Sequence, residues 1–282
     1  MSSRPLIVGI VNVTEDSFSD GGCYLDPDDA LAHARRLLSV GADVIELGAA
    51  SSHPDAAAVP AAEERHRLTP VLEELRANHV AVSVDSTRPE TQRLALANGA
   101  AYLNDIHGFP DSVQYEALAA SDCQLIVMHS IQRRGIATRV TTDPTTIWER
   151  IEQFFEERLA ALVAAGIRRE RLIIDPGLGF FLGANPAPSV AVLGDIQRLR
   201  ARFELRILVS PSRKSFLREI TQRDIAHIGP ATLAAELYAA NEDVDFIRTH
   251  DVQALGDALT VLDALDRHRS PSTEGTQPHG TS

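Results

Sequence analysis

The sequence of 282 residues contains few cysteines, few aromatic residues and almost no lysine. It has two cysteines and one tryptophan, aromatic residues make up 5% of the chain, and Lys214 is the one lysine among 27 basic side chains. Two cysteines exclude a framework of several disulfides, and no Cys-x-x-Cys pair indicates a metal site. Because so few cysteines are typical of a reducing compartment, we expect a cytoplasmic protein.

An excess of positive charge and long apolar runs are also absent. Asp and Glu outnumber Lys and Arg by 39 to 27, which gives a formal net charge of −12. Such a surface disfavours general binding to nucleic acid or to anionic membranes. No apolar run approaches the ~18 residues of a membrane span, and Leu6–Ile10 is too short for a secretory signal. We expect a soluble protein whose partners are small molecules, with a local basic cluster for any anionic ligand.

Short apolar runs alternate with amphipathic stretches along the chain. There are eight strand-like runs, of which Leu6–Asn12 is the first, and each is followed by a helical pattern. One of these patterns predicts a single helix near Ser189–Phe203. Strands that are apolar on both faces are typical of a parallel sheet covered by helices. Eight such units predict a closed (β/α)8 TIM barrel, an α/β fold in one domain over residues 1–268.

An open doubly wound sheet is the alternative fold. The chain has no Gly-x-Gly-x-x-Gly loop and no P-loop after an early strand, which disfavours it. The segment 269–282 is rich in Ser, Thr, Gly and Pro, so we expect a disordered tail.

Polar side chains follow nearly every predicted strand at its carboxyl end. In a barrel these ends share one rim, where active sites lie. In chain order the residues are Asn12, Glu46, Asp85, Asn104, His129, Asp175, Lys214, Arg248 and His250. Each could instead be a helix cap or a turn residue, so only the whole set indicates a site.

The signs of charge around this rim are sorted. The basic residues follow strands seven and eight, where barrels often bind phosphate: Arg213, Lys214, Arg248 and His250. The acids and amides follow strands three, four and six: Asp85, Asn104 and Asp175. An Asp carboxylate can accept two hydrogen bonds from a guanidine-like edge. We therefore predict a ligand with a donor-rich heterocyclic head and an anionic tail. Asn12 and nearby acids could hold Mg²⁺ with water and phosphate.

Six ordered sequence blocks resemble the signatures of one enzyme family. The segment 9–22, GIVNVTEDSFSDGG, closely resembles the first signature of dihydropteroate synthases. Five further blocks look like the later ones: Val84–Ser86, Tyr102–Asp105, Asp175–Phe180, Ser212–Ser215 and Arg248–Asp251. The resemblance spans about residues 6–265. It implies a (β/α)8 barrel, commonly a homodimer, that condenses 6-hydroxymethyl-7,8-dihydropterin pyrophosphate with p-aminobenzoate to give 7,8-dihydropteroate and pyrophosphate.

The resemblance also implies roles for residues at matching positions. The pterin site would contain Asp85, Asn104, Met128, Asp175 and Lys214. The p-aminobenzoate site would contain Ser52, Pro54, Phe180, Phe181, Ser212 and Arg213. Pyrophosphate would meet Asn12, Ser52, His53, Arg248 and His250, with Asn12 also binding Mg²⁺ as the cofactor. The expected catalytic residues are Asp85, Lys214, Arg248 and His250.

Two loops depart from the family pattern. The usual Gly-Gly-Glu-Ser-Thr-Arg-Pro is GAASSHP here, so His53 replaces the Arg, and Glu46 replaces an earlier Asp. After Asp175-Pro176-Gly177 the chain has an additional Phe181 and lacks the usual Lys. These departures resemble the sulfonamide-resistant branch. Our hypothesis is that the Phe181 ring at the pocket mouth rejects the bulkier sulfonamides; the alternative is that two adjacent aromatics only pack the loop.

Two other functions remain open at this stage. One is a methyltransferase that uses methyltetrahydrofolate and a corrinoid protein, although such an enzyme needs no pyrophosphate site. The other is a non-catalytic paralogue that binds pterin or scaffolds a partner, which the loss of the loop Arg and Lys favours.

Overall fold

Eight parallel strands close into a barrel in chain order, and β8 pairs back to β1. The computed structural model describes residues 4–14 and 26–269. The strands are β1 Leu6–Asn12, β2 Val44–Gly48, β3 Val82–Asp85, β4 Tyr102–Asp105, β5 Gln124–Met128, β6 Leu172–Asp175, β7 Arg206–Val209 and β8 Phe246–Thr249. The predicted (β/α)8 barrel in a single domain is confirmed, and the open sheet is excluded.

Helices cover the outside of the barrel. Within the described ranges they are α1 Pro27–Ser39, α2 Ala61–Ala77, α3 Pro89–Ala97, α4 Tyr115–Ala120, α5 Ile147–Ala164, α6 Ala187–Gly194, α7 Gln197–Phe203, α8 Ser215–Thr221, α9 Gly229–Asn241 and α10 Val252–Arg269. The single helix predicted near Ser189–Phe203 is wrong, because α6 and α7 are separated at Asp195. The preceding Gly194 is a poor helix former, which favours a break there. None of the helices in these ranges is long and apolar enough to cross a membrane.

Part of the first family block, residues 15–22, lies outside the described residues, and so does Cys23. Helix α10 continues to Arg269, and the rest of the tail, 270–282, also lies outside them. The disorder that we predict for the tail therefore stays a prediction.

The inside of the barrel is filled by apolar side chains. Its core cluster consists of Val8, Val44, Tyr102, Ile126, Ile173, Leu208 and Phe246. The rings of Tyr102 and Phe246 meet edge to face with their centres 5.8 Å apart. Neighbouring strand residues such as Ile7 and Val11 point the other way, into the layer between strands and helices. A ligand therefore has no passage through the barrel and must bind at its rim.

The strand register brings the predicted polar residues level with one another at the carboxyl rim. Asp85 is opposite Asn104 on one side and Gly48 on the other, and Gly48 is in turn opposite Asn12. A Cβ atom at Gly48 would lie 3.7 Å from Asn12 Oδ1 and 4.0 Å from Asp85 Cβ. The missing side chain thus leaves room between the amide and the carboxylate.

Candidate active site

A cavity of about 350 Å³ opens at the carboxyl rim, and a narrower recess adjoins it. The predicted site residues that line the cavity are Asn12, Ser52, His53, Pro54, Asp85, Phe180, Phe181, Ser212, Arg213, Lys214, Arg248 and His250. Those that line the recess alone are Asn104, Met128 and Asp175. The structure thus brings every predicted site residue to one continuous pocket. Arg218, to which the sequence analysis gives no role, also lines the cavity.

An ion-pair network connects β8 to β2 and β3 at the centre of the site. The Nε atom of Arg248 donates to Oε1 of Glu46, and its Nη2 lies 3.2 Å from Oδ2 of Asp85. Glu46 is fully buried, and its other oxygen accepts hydrogen bonds from Ser83 Oγ at 3.0 Å and Asn104 Nδ2 at 3.2 Å. These bonds fix the orientation of both Arg248 and the Asn104 amide.

The network differs from the separation of charges that the sequence pattern predicts. Cations were expected on one side of the rim and acceptors on the other, but Arg248 touches two carboxylates directly. A charge in a buried site needs an opposite charge or several hydrogen bonds, so full separation is unfavourable. Glu46 is among the rim residues predicted from the sequence, but the pairing of its carboxylate with Arg248 is not. Its signal was a lone acid within the apolar strand VIELG.

The recess presents hydrogen-bond acceptors. Asp175 is 3% exposed, and its Oδ1 accepts the N–H of Gly177 at 2.8 Å. Asn104 Oδ1 is buried and has no hydrogen-bond partner within the described part of the chain. An unsatisfied buried carbonyl is costly, so this oxygen favours a ligand that donates to it. The second Asp175 oxygen and Asn104 Oδ1 therefore suit a donor-rich edge.

The turn after β6 is built so that Asp175 stays in place. Gly177 has a φ of +72°, and a Cβ atom there would lie 2.5 Å from the carbonyl oxygen of His129. His129 is itself buried, with Nδ1 3.0 Å from the Pro176 oxygen, and burial lowers its pKa to about 4. A structural role for His129 fits this environment, because a neutral buried imidazole packs and hydrogen-bonds without needing a counter-ion.

Burial moves the pKa values of three ionisable side chains towards 7. Desolvation raises the pKa of Asp175 to about 6, although the hydrogen bond from the Gly177 N–H stabilises the charged form and partly offsets this rise. Desolvation and the Glu46 carboxylate raise the pKa of Asp85 to about 7, against Arg248. Desolvation and Arg248 lower the pKa of Lys214 to about 8. Shifted pKa values of this kind cluster at catalytic and ligand-binding sites.

The surroundings of His250 favour its neutral form, although the sequence pattern groups it with the basic residues. Burial and the nearby charges of Arg213, Arg248 and Lys214 hold its pKa well below the usual range. Its Nδ1 lies 2.9 Å from Ser212 Oγ, which also accepts the His250 backbone N–H at 3.2 Å. A neutral imidazole still offers one N–H to an anion.

The two adjacent phenylalanines occupy different positions. Phe181 is 6% exposed and packs with Ile106, Met128 and Ala137, while its ring centre lies 5.0 Å from the Lys214 ammonium. Phe180 is less buried, and its ring contacts the His53 ring edge to face at the opening of the cavity. The hypothesis that Phe181 stands at the mouth is therefore wrong in its placement. Phe181 forms part of the wall, and Phe180 stands at the mouth.

Replacing Glu46 by Ala should destabilise the fold through its buried partners. Arg248 would lose one of its two carboxylates, and the donors of Ser83 and Asn104 would lose their acceptor. We expect the free energy of unfolding in urea to fall by about 3 kcal/mol. The control Asp122→Ala removes an exposed partner of Arg168, and we expect a change of less than about 0.5 kcal/mol. Equal losses in the two variants would contradict the assigned importance of the network.

The raised pKa of Asp175 makes stability depend on pH. Its folded pKa of about 6 lies above the ordinary value of 3.8, so its contribution is fully present below about pH 4 and is lost as pH rises through 6. Asp175→Asn removes this titration. Relative to the variant, the wild type should lose up to about 3 kcal/mol of unfolding free energy between pH 4 and pH 7.5. A difference between the two proteins that stays constant over this range would contradict the shift.

Comparison with known proteins agrees with this geometry. The family model described as pterin binding enzyme matches residues 8–250. The type-2 dihydropteroate synthase of Escherichia coli is 54% identical over 265 residues, which cover 94% of this chain and 97% of that protein. The type-3 enzyme of Escherichia coli is 50% identical over 259 residues, covering 92% and 98%.

Solved structures show the same similarity. A Xanthomonas albilineans dihydropteroate synthase solved with 4-aminobenzoic acid has a TM-score of 0.83 and 37% identity, with 93% of each chain covered. A Yersinia pestis dihydropteroate synthase in a sulfonamide drug complex has a TM-score of 0.84 and 34% identity, covering 93% of this chain and 94% of that one. With sequence, fold and rim residues in agreement, this chain belongs to the dihydropteroate synthases, a family of pterin-binding enzymes.

Proposed function

We propose that the chain condenses 6-hydroxymethyl-7,8-dihydropterin pyrophosphate with p-aminobenzoate to form 7,8-dihydropteroate and pyrophosphate. One observation carries the proposal: the acceptor-lined recess of Asp175 and Asn104 opens into a cavity lined by Arg213, Arg248 and His250. That arrangement fits a ligand with a donor-rich ring and an anionic tail. Support also comes from a Xanthomonas albilineans dihydropteroate synthase, 36% identical, which was solved in complex with 7,8-dihydropteroate.

The recess would hold the pterin. The free Asp175 oxygen and Asn104 Oδ1 would accept hydrogen bonds from the amino-pyrimidine edge. Lys214 would donate to the ring acceptors, and Met128 supplies an apolar wall. Since the pKa of Lys214 is about 8 and that of Asp175 about 6, both are charged near pH 7. The pterin would thus be oriented with its methylene group towards the larger cavity.

The larger cavity would stabilise the charge that develops as pyrophosphate leaves. In a dissociative reaction the bond between the methylene carbon and the pyrophosphate oxygen breaks first, and the electron pair leaves with pyrophosphate. Arg248 and the neutral N–H of His250 would bind the departing oxygens, with Asn12, Ser52 and His53 nearby. Asp85 would stabilise the pterin-methyl cation. The arylamine nitrogen is neutral near pH 7, so it can attack without a strong base and then release its proton.

The resemblance also implies Mg²⁺, and the side-chain oxygen of Asn12 fits it. The space left by Gly48 lies beside this oxygen, and the described residues contain no cluster of three His, Cys, Asp or Glu side chains able to hold a metal. Asn12 would therefore share the ion with phosphate oxygens and water. When bound, the ion would neutralise charge on pyrophosphate. The homodimer and the cytoplasmic location remain predictions from the sequence.

The wall of the cavity next to the mouth would hold p-aminobenzoate. Its lining residues there are Ser52, Pro54, Phe180, Phe181, Ser212 and Arg213. We further propose that the two phenylalanines make the enzyme insensitive to sulfonamides. These inhibitors carry a tetrahedral sulfonyl group and a further substituent, which require more room than a planar carboxylate. Phe181 would reduce the width of the cavity beside Lys214, and Phe180 would reduce the width of its mouth.

The direct test measures pyrophosphate release and 7,8-dihydropteroate formation with both substrates and Mg²⁺. We expect turnover by the wild type and a loss of at least about 100-fold in kcat for Arg248→Ala, because the variant removes a charged donor to the leaving group and the partner of Glu46 and Asp85. The exposed variant Arg168→Ala should keep wild-type rates. Methyl transfer from methyltetrahydrofolate instead would favour the methyltransferase, and binding of pterin without turnover would favour the non-catalytic paralogue.

Deletion of Phe181 should restore sulfonamide inhibition. We expect the inhibition constant of sulfamethoxazole to fall by about 10- to 100-fold while the KM of p-aminobenzoate changes much less. Complementation of a strain that lacks dihydropteroate synthase, with and without the drug, measures the same effect in cells. If the deletion leaves the inhibition constant unchanged while p-aminobenzoate still binds, the role of Phe181 in drug exclusion is wrong.

A further inference from the structure

Three loops meet at the mouth of the cavity: β2–α2 (49–60), β5–α5 (129–146) and β6–α6 (176–186). We call them the mouth loops. Backbone hydrogen bonds join them in pairs: Ala137 N–H to Ser52 O at 3.1 Å, Ile131 N–H to Phe181 O at 3.0 Å, and Ala184 N–H to Val140 O at 2.7 Å. The β5–α5 loop therefore lies between the other two and contacts both.

A pair of charged side chains adds a fourth connection, directly beside Phe180. Both terminal nitrogens of Arg139 donate to the carboxylate of Asp55, and the bond from Nη1 to Oδ1 is 2.7 Å long. The Arg139 guanidinium carbon lies 5.7 Å from the centre of the Phe180 ring. One guanidinium thus joins the β2–α2 loop to the aromatic ring on the β6–α6 loop.

Asp55 also orients the ring on the other side of Phe180. Its backbone N–H donates to Nδ1 of His53 at 3.2 Å. The His53 ring meets Phe180 edge to face, with centres 5.8 Å apart and planes at 83°. The Phe180 carbonyl accepts a hydrogen bond from Gln132 Nε2 at 3.3 Å. Phe180 is therefore held between His53 and Arg139, and its backbone carbonyl is hydrogen-bonded to the β5–α5 loop.

The exposure of the ion pair shows what it contributes. The side chains of Asp55 and Arg139 are 47% and 52% exposed, and pairs so exposed contribute little to global stability. Two-point contact with a carboxylate does, however, fix a guanidinium in direction as well as distance. The pair is therefore suited to positioning Phe180 rather than to stabilising the barrel.

We propose that Asp55 and Arg139 are specificity-determining residues, which hold the Phe180 ring across the arylamine entrance. We call the pair together with His53 and Phe180 the mouth clamp. The inference rests on the proposed function, because the arylamine is the substrate that the entrance admits. A planar carboxylate passes beside the held ring, whereas an N-substituted sulfonamide must extend through the space that the ring occupies. Releasing the ring should admit the inhibitor without changing pterin binding.

The test is a double-mutant cycle of Asp55→Asn, Arg139→Gln and the double variant. For each protein we would measure kcat, the KM of both substrates, and the inhibition constants of sulfanilamide and sulfamethoxazole. We expect each single variant to lower the inhibition constant of sulfamethoxazole about tenfold relative to the KM of p-aminobenzoate, and the double variant to do no more, because the two residues act as one unit. Unsubstituted sulfanilamide should change less than twofold.

Matched controls separate positioning from a general structural effect. Arg202→Gln breaks an exposed pair with Glu156 away from the mouth and should leave every ratio unchanged. Arg139→Lys keeps the charge but loses the two-point contact, so its ratio should fall between those of wild type and Arg139→Gln. In all clamp variants kcat, the pterin KM and the melting temperature should stay at wild-type values.

Two results would overturn the inference while leaving the enzyme activity intact. The first is a ratio in Asp55→Asn and Arg139→Gln that stays within twofold of wild type. The second is independent, multiplying effects in the double variant, which would show that the residues do not act as a pair. Absence of turnover by the wild-type protein would overturn the proposed function, and the clamp inference with it.

Discussion

The site depends on one buried interaction, the ion pair between Glu46 on β2 and Arg248 on β8. The two residues are 202 positions apart in the sequence, and β1 lies between their strands. The pair forms only when the last strand has closed the barrel. Breaking either member would leave a charge in a poorly solvated place, so closure of the fold and assembly of the site are coupled energetically. The Asn104 amide donates to the same Glu46 carboxylate, so its orientation also depends on closure of the barrel.

The network also determines how the site responds to a charged ligand. Glu46, Asp85 and Asp175 face Arg248 and Lys214, so the carboxylates outnumber the cations of this central group. Desolvation and the Glu46 carboxylate raise the pKa of Asp85, whereas desolvation and the nearby cations of Arg213 and Arg248 lower the pKa of His250. An arriving anion adds negative charge beside His250 and Arg213, which opposes the lowering of the His250 pKa. Binding of an anion there would therefore favour the protonated form of His250.

The sequence alone was sufficient for the barrel and for the set of residues at its rim, because both follow from short-range patterns. Apolar runs with glycine and proline at helix boundaries mark the eight units, and polar residues at strand ends mark the rim. It was not sufficient for pairings made through space. The Glu46–Arg248 contact, the lowered pKa of His250 and the order of Phe180 and Phe181 from mouth to wall all depend on packing between distant segments. The break between α6 and α7 likewise needed more than the apolar pattern that spans it.

Lys214 has a consequence of a different kind. It is the sole lysine of the chain, and the structure places its ammonium over the Phe181 ring in the wall of the pocket. Incorporating isotopically labelled lysine would therefore give a nuclear magnetic resonance spectrum with one side-chain signal, which reports from inside the pocket without any engineered probe. Ring currents from Phe181 act on that signal, so it senses the aromatic wall and the protonation of the amine together.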